Sequence, residues 1–199
     1  MNNATIQLKV QQRLNKLASQ DYDNIECWQI VEAFNKAQVV WCRRQLHGMN
    51  QMREGDEQSK RRIDDLQVIL KEETIPFSVK DNFVESVDLP KDYFEWKRIS
   101  AYAKDPCCKD KRKMVIYLAE EANVDLIMRD PLKRPDFEWG ETFCTMQQNT
   151  VRIYHRDFNI VSPVLTYYRR PRMIEIMNCT DPYTQAASAA DVTCEFKDD

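Results

Sequence analysis

Glycine is nearly missing from this chain: three among 199 residues, at positions 48, 55 and 140. A loop that cradles phosphate, or a dinucleotide-binding turn, needs glycine where the backbone approaches its ligand closely. That shortage excludes the commonest nucleotide-binding classes. Histidine is as scarce, with only His47 and His155, and neither has a Cys or His three or four residues away. The seven cysteines, at 27, 42, 107, 108, 144, 179 and 194, form no Cys-x-x-Cys pair, so a zinc site would have to be gathered from scattered positions. Cys107 and Cys108 are adjacent, and adjacent side chains on a strand point to opposite faces. No Gly-x-Ser-x-Gly elbow marks a nucleophile. No apolar run approaches the ~18 residues of a membrane span. The reading is therefore of a protein without catalytic residues, cofactor, metal site or membrane segment.

What remains supports a folded, charged domain. Hydrophobic residues make up 43% and charged residues 31%, with four Trp, eight Tyr and eight Phe, too many aromatics for a disordered chain. The net charge of −3 gives no basic surface overall of the kind non-specific nucleic-acid binding rests on. The first thirty residues are polar and lack the apolar h-region of a secretory signal. The cysteines are accordingly expected to be reduced thiols.

Ile6, Val10, Leu14 and Leu17 form one apolar stripe of a first helix over residues 4–19. Asp23 and Glu26 have capping-box spacing ahead of a second helix from Ile25 to His47, on the order of 35 Å long and stopped by Gly48. Residues 49–62 read as a polar loop leading into a short helix that ends near Asp65, with a Lys60-Arg61-Arg62 run. From Leu66 the period shortens. Leu66–Leu70, Ile75–Val79 and Val84–Val87 read as strands, as do Met114–Leu118 and Ile160–Tyr168, with a helix or turn over Glu120–Met128. Phe143–His155 reads as a hairpin turning at Gln147-Gln148-Asn149, and Met173–Met177 as a continuation of the sheet. The expected organisation is a helical part over 1–65, a β-rich domain over 66–177 and a C-terminal segment over 178–199 that leads back to the helices.

Two stretches frame the β-rich block. Asp88-Leu89-Pro90-Lys91-Asp92-Tyr93 is a chain reversal that hands over to an ordered segment, Phe94–Ala103. Tyr167-Tyr168-Arg169-Arg170-Pro171 is the end of a strand, closed by a proline that cannot donate to a ladder. Around the second stretch Arg152, His155, Arg156, Arg169, Arg170 and Arg172 lie on or beside strands read as neighbours, with Tyr154, Tyr167 and Tyr168 among them. Arg and Tyr are enriched at protein interfaces and also contact nucleic acid. The interface candidates are Trp28, Phe34 and Trp41 on the second helix, and Arg152, Arg156, Tyr168, Arg169 and Arg170 in the β-rich block.

These motifs carry a resemblance. Val31-Glu32-Ala33-Phe34-Asn35-Lys36-Ala37-Gln38 through Gln45, the turn at Asp88–Tyr93 and Val164–Pro171 resemble the head-to-tail adaptor, or connector ring, proteins of short-tailed bacteriophages, most closely those of crAss-like phages. The resemblance spans the second helix to Pro171 and implies an α+β fold: an N-terminal helical bundle with a β-rich antiparallel insertion and a helix near the C-terminus that completes the bundle. It implies a virion structural role without enzymatic activity. Copies would form a homo-oligomeric ring, about twelvefold, in the neck of the particle. They would bind the portal protein on one side and collar or tail proteins on the other, with DNA passing as cargo. The alternative is a nucleic-acid-binding accessory protein using the Lys60–Arg62 run or the arginine set.

Overall fold

A computed structural model describes residues 2–15, 25–47, 66–106, 111–180, 183 and 185–196. The chain divides into two compact units, Leu70–Arg169 and the pair of segments Met1–Ile69 with Arg170–Asp199.

The Leu70–Arg169 unit is built on one eight-stranded sheet. Its strands are β1 (Leu70–Thr74), β2 (Phe77–Val79), β3 (Phe83–Ser86), β4 (Tyr93–Lys104), β5 (Lys111–Leu118), β6 (Glu141–Gln147), β7 (Thr150–Tyr154) and β8 (Asn159–Arg169). The spatial order is β1-β8-β4-β5-β6-β7-β3-β2. The two edges, β1 and β2, are consecutive in sequence and joined by Ile75 and Pro76 alone. Laid flat, eight strands would hold their edges about 34 Å apart, whereas this link spans at most about 11 Å. The sheet must therefore curl until its edges approach, which makes it a half-barrel. Ile75 is buried in the interior that results. Ala101 and Ala103 of β4 stand beside Ile99 and Leu165 there, small side chains on a concave face that larger ones would overfill.

The ladder is antiparallel except between β5 and β6, which run parallel with Val115 opposite Glu141. A parallel pair needs a crossover. Residues 119–140 supply it, with a 3-10 turn at Glu121–Asn123 and a short helix at Val124–Arg129. Gly140 closes the crossover at φ +70°, and a Cβ there would come within 3.1 Å of the Arg112 guanidinium.

The other unit holds α1 (Asn3–Asn15) and α2 (Cys27–His47); the crossover helix is α3. Asn2 caps α1 by accepting the Thr5 N–H at 2.8 Å. The start of α2 is set by Gln29, whose side chain accepts the Glu26 N–H at 3.2 Å. Asp23, the expected cap, lies outside the described residues, as do Leu14 and Leu17 of the expected stripe in their side chains, Gly48 and the Lys60–Arg62 run.

The expected fold is corrected here. The architecture is mostly a curled mixed sheet with three helices among the described residues, not a helical bundle carrying an antiparallel insertion. Two physical reasons stand out. Burial on α2 is confined to Ile30, Gln38 and Cys42, while Val40 is exposed, so the wide stripe is not packed all round. The described residues of 171–196 form no helix: Pro171 removes a donor, Asn178 sits at φ 61°, and the segment folds on itself through bridges between Glu175 and Val192 and between Thr180 and Ala187. Met173–Met177 therefore does not continue the sheet. The strand expected from Leu66 begins only at Leu70, after a helical turn. The hairpin expected over 143–155 forms, as β6 and β7, with Gln148 at φ 52° in its two-residue loop.

Candidate functional site

The two stretches that frame the block meet in space. Proline and the Leu89 side chain turn the chain at 88–93, and the turn is pinned to the β6–β7 loop: the Leu89 N–H donates to the Asn149 carbonyl at 2.8 Å, and the Asn149 amide donates to the Asp88 carboxylate at 3.1 Å. This aims Asp92 at β8. There Tyr167, fully buried, places its hydroxyl 2.7 Å from Asp92 Oδ1 and 3.1 Å from Glu73 Oε2. Lys71 Nζ bridges the same two carboxylates at 3.1 Å each and lies 5.8 Å from the centre of the Tyr167 ring. The Tyr93 ring sits 5.8 Å from that of Tyr167.

The electrostatics of this node are those of a lock. Burial, and then the hydrogen bond to Asp92, push the Tyr167 phenol above its ordinary range. Hydrogen bonds to Tyr167, Glu73 and Asp92 raise Lys71. Burial alone would raise Asp92, but hydrogen bonds from Tyr167 and Lys71 outweigh it and hold the carboxyl low. A phenol whose proton is held this firmly is a poor nucleophile or acid. The node ties edge strand β1 and the turn to β8.

The interface candidates fall in different places. On α2, Trp28 donates its indole N–H to Glu26 and meets Tyr183 edge-on at 6.1 Å. Trp41 meets Phe196 edge-on at 5.0 Å, and Phe34 packs half-buried against Ile6, Ile30 and Ile174. In the sheet, Arg152 on β7 binds Glu85 at 2.8 Å, lies 3.6 Å from Glu121 and stands over the Phe83 ring. Arg156, just past β7, approaches Asp157 at 3.5 Å. Tyr168 on β8 is buried under Lys97. Arg169 ends β8 and Arg170 follows it. Strands β7 and β8, read as neighbours, are separated in the sheet by β4, β5 and β6, so Arg152 and Arg169 do not share one ladder.

Burial pushes the thiols of both Cys42 and Cys144 up to about 12. Cys27 and Cys179 form a disulfide with a Cα separation of 5.8 Å, which corrects the expectation of reduced thiols throughout. Nothing local could reveal a pair 152 residues apart. Cys107 and Cys108 lie outside the described residues. Among the described residues no three His, Cys, Asp or Glu side chains gather as metal ligands.

Sequence reasoning missed the feature with the plainest surface chemistry. Between β5 and its crossover lies a groove of about 660 Å³ lined by Tyr117, Leu118, Leu126, Ile127 and Leu132 together with Glu120, Asn123, Asp130, Lys133 and Glu141. Leu118 is 46% exposed, Leu126 68% and Leu132 69%, and Trp139 of the same crossover is 58% exposed. The available signal was the unbroken run Val115-Ile116-Tyr117-Leu118, which reads as a strand apolar on both faces, yet Val115, Tyr117 and Leu118 are exposed. No family model matches the chain, and no curated protein matches it.

Proposed function

We propose that this chain is a non-catalytic assembly subunit, and specifically a subunit of a head-to-tail connector ring in a bacteriophage particle, joined to the portal protein and to collar or tail proteins. The observation that carries the assembly role is the exposure of Leu118, Leu126, Leu132 and Trp139 on β5 and the crossover, beside Glu120, Asp130 and Glu141. Large exposed apolar patches rimmed by polar residues serve as docking surfaces. The connector role is carried by the Asp88–Tyr93 and Val164–Pro171 motifs, which the half-barrel uses as a rigid joint. A ring subunit needs such a joint, because head-to-tail contacts close only when each copy holds the same angle. The helical-bundle part of the original resemblance forms no part of this proposal.

Quantitative mass spectrometry of purified particles should find about one copy of this chain per portal subunit. The double variant Leu126→Glu, Leu132→Glu should keep the circular dichroism of the wild type and lose incorporation. Absence of the wild-type chain from intact particles would sink the connector reading. Full incorporation of the double variant would remove the groove from assembly.

A further inference from the structure

Strand β5 changes character along its length. Its second half is the apolar wall just described, whereas its first half is basic. Lys111 stands directly opposite Lys104 of β4, and Lys113 stands opposite Tyr102. All four side chains alternate with the buried Ala101, Ala103 and Met114, so they project from the outer face of the sheet. Tyr102 is 46% exposed and all three lysines are exposed. Its neighbours across β8, Val161 opposite Tyr102 and Asn159 opposite Lys104, add no charge.

Two features ask for an explanation. Like charges directly opposite each other in an antiparallel pair oppose the ladder, and Lys104 faces Lys111. Among the described residues, none of the three lysines has a carboxylate at ion-pair distance. Glu72 feels the charge of Lys113, but its carboxylate is already bonded to Arg98 at 3.2 Å and to Thr166 at 3.0 Å. Arg152 on β7 is likewise bound to Glu85 at 2.8 Å. Arg98 and Arg152 of the sheet thus each meet a glutamate, and among the described residues Lys104, Lys111 and Lys113 do not.

We infer that the outer face formed by Tyr102, Lys104, Lys111 and Lys113 binds single-stranded nucleic acid. The lysines supply point charges for the phosphate backbone, and the unmatched pair Lys104–Lys111 is relieved by an anion between them. Tyr102 supplies a ring on which one base stacks. An exposed aromatic amid lysines suits a strand whose bases are free, since a duplex already stacks its own. An acidic peptide would satisfy the lysines but leave the ring without a partner. This inference does not rest on the connector proposal.

The test is fluorescence anisotropy with a labelled oligothymidylate of about twelve nucleotides, the whole chain, and salt raised from about 20 to 200 mM. Three phosphate contacts on a single strand predict that log affinity falls with log salt at a slope near −2. The triple variant Lys104→Gln, Lys111→Gln, Lys113→Gln should lose that slope, and its unfolding temperature should not fall. Tyr102→Ala should weaken binding about tenfold with the slope retained, and Tyr102→Phe should restore it. Absence of binding at about 20 mM salt, or binding that survives the triple substitution, overturns the inference. Equal affinity for a duplex of the same length, or binding of poly-glutamate without oligothymidylate, does so too.

Discussion

The two compact units are held together by different means. In the half-barrel, fourteen buried residues, counted among those described, form one apolar cluster that includes Val84, Ile99, Ile153, Leu165 and Tyr167. Among the described residues of the other unit one cluster is Ile6, Ile30 and Ile174, with Val10, Ile25, Val31, Phe34 and Cys194 partly buried around it, and Cys42, Leu66 and Ile69 are buried as well. Among its described residues this cluster is joined by directed bonds to the segment after Arg170. The Asn35 side chain pairs with the Ile174 backbone in both senses, donating to its carbonyl at 3.2 Å and accepting its N–H at 2.9 Å. Gln38 donates to the Arg172 carbonyl at 2.9 Å, Asn3 donates to the Glu175 carbonyl at 2.7 Å, and the Cys27–Cys179 disulfide fastens the same segment. Burial is non-directional and tolerates exchange of similar volumes, whereas an amide clamp works only with its own partner in place. The two units should therefore fail under different insults.

The largest effect belongs to the half-barrel. Leu165 is fully buried on β8, between Glu73 of β1 and Ile99 of β4. Leu165→Ala should cost about 2–5 kcal/mol, since a lining held by strands on both sides cannot collapse into the space. Phe34→Ala, at a half-buried position of the other unit, should cost only on the order of 1–2 kcal/mol. Urea unfolding of both variants gives the comparison directly. If Phe34→Ala proved the costlier, the division between a burial-driven and a bond-driven unit would collapse.

Reduction should reverse the ranking. The double variant Cys27→Ser, Cys179→Ser should destabilise the α2-containing unit by about 2–4 kcal/mol and leave the sheet unchanged. Hydrogen exchange should show faster exchange at Ile174 and along the N-terminal half of α2, with β4 and β8 amides as protected as before. Loss of protection in β8 would mean that the disulfide stabilises the whole chain. Asn35→Ala should resemble reduction on a smaller scale, about 1–3 kcal/mol, because it orphans a buried N–H and a carbonyl together.

What could be read in advance follows the same division. Period and turn chemistry exposed some local elements of the half-barrel: Phe143–His155 reads as a hairpin about Gln147-Gln148-Asn149, and Asp88–Tyr93 carries its own reversal. Pairing is non-local, so nothing in Ile75-Pro76 announced that the strands it joins are the two edges of one sheet. Nor did anything announce that Asp92 would meet Tyr167. The directed bonds of the other unit were invisible for a related reason. Asn35 and Gln38 look like the polar side of a helix until the segment they grip is known, and the expected C-terminal helix came from the resemblance rather than from residues 178–196. The outer basic face was hidden because Lys104 and Lys111 flank a charged turn in sequence, where lysines are commonplace, and become notable only when the register sets them opposite each other.

The smallest effect should come from pH, and it too distinguishes the units. His155 follows β7 in the half-barrel. It is 5% exposed, with its ring 6.3 Å from that of Phe158, and neither ring nitrogen makes a hydrogen bond of ordinary geometry. Burial depresses its pKa, and the nearby backbone of Lys80 and Phe158, which favours the imidazolium, does not offset this. The unfolded chain therefore binds the proton more readily than the folded one. The stability this imidazole supports is fully present above its ordinary value of 6.5 and is lost as pH falls from there through the depressed folded value, at no more than about 1.4 kcal/mol per pH unit. Urea midpoints at pH 7.5, 6.5 and 5.5 should fall for the wild type over the lower interval and stay level for His155→Phe, whose ring suits a site beside Phe158. A parallel fall in the variant would assign the pH dependence to carboxylates, and the node of Asp92, Glu73 and Lys71 would become the group to titrate next.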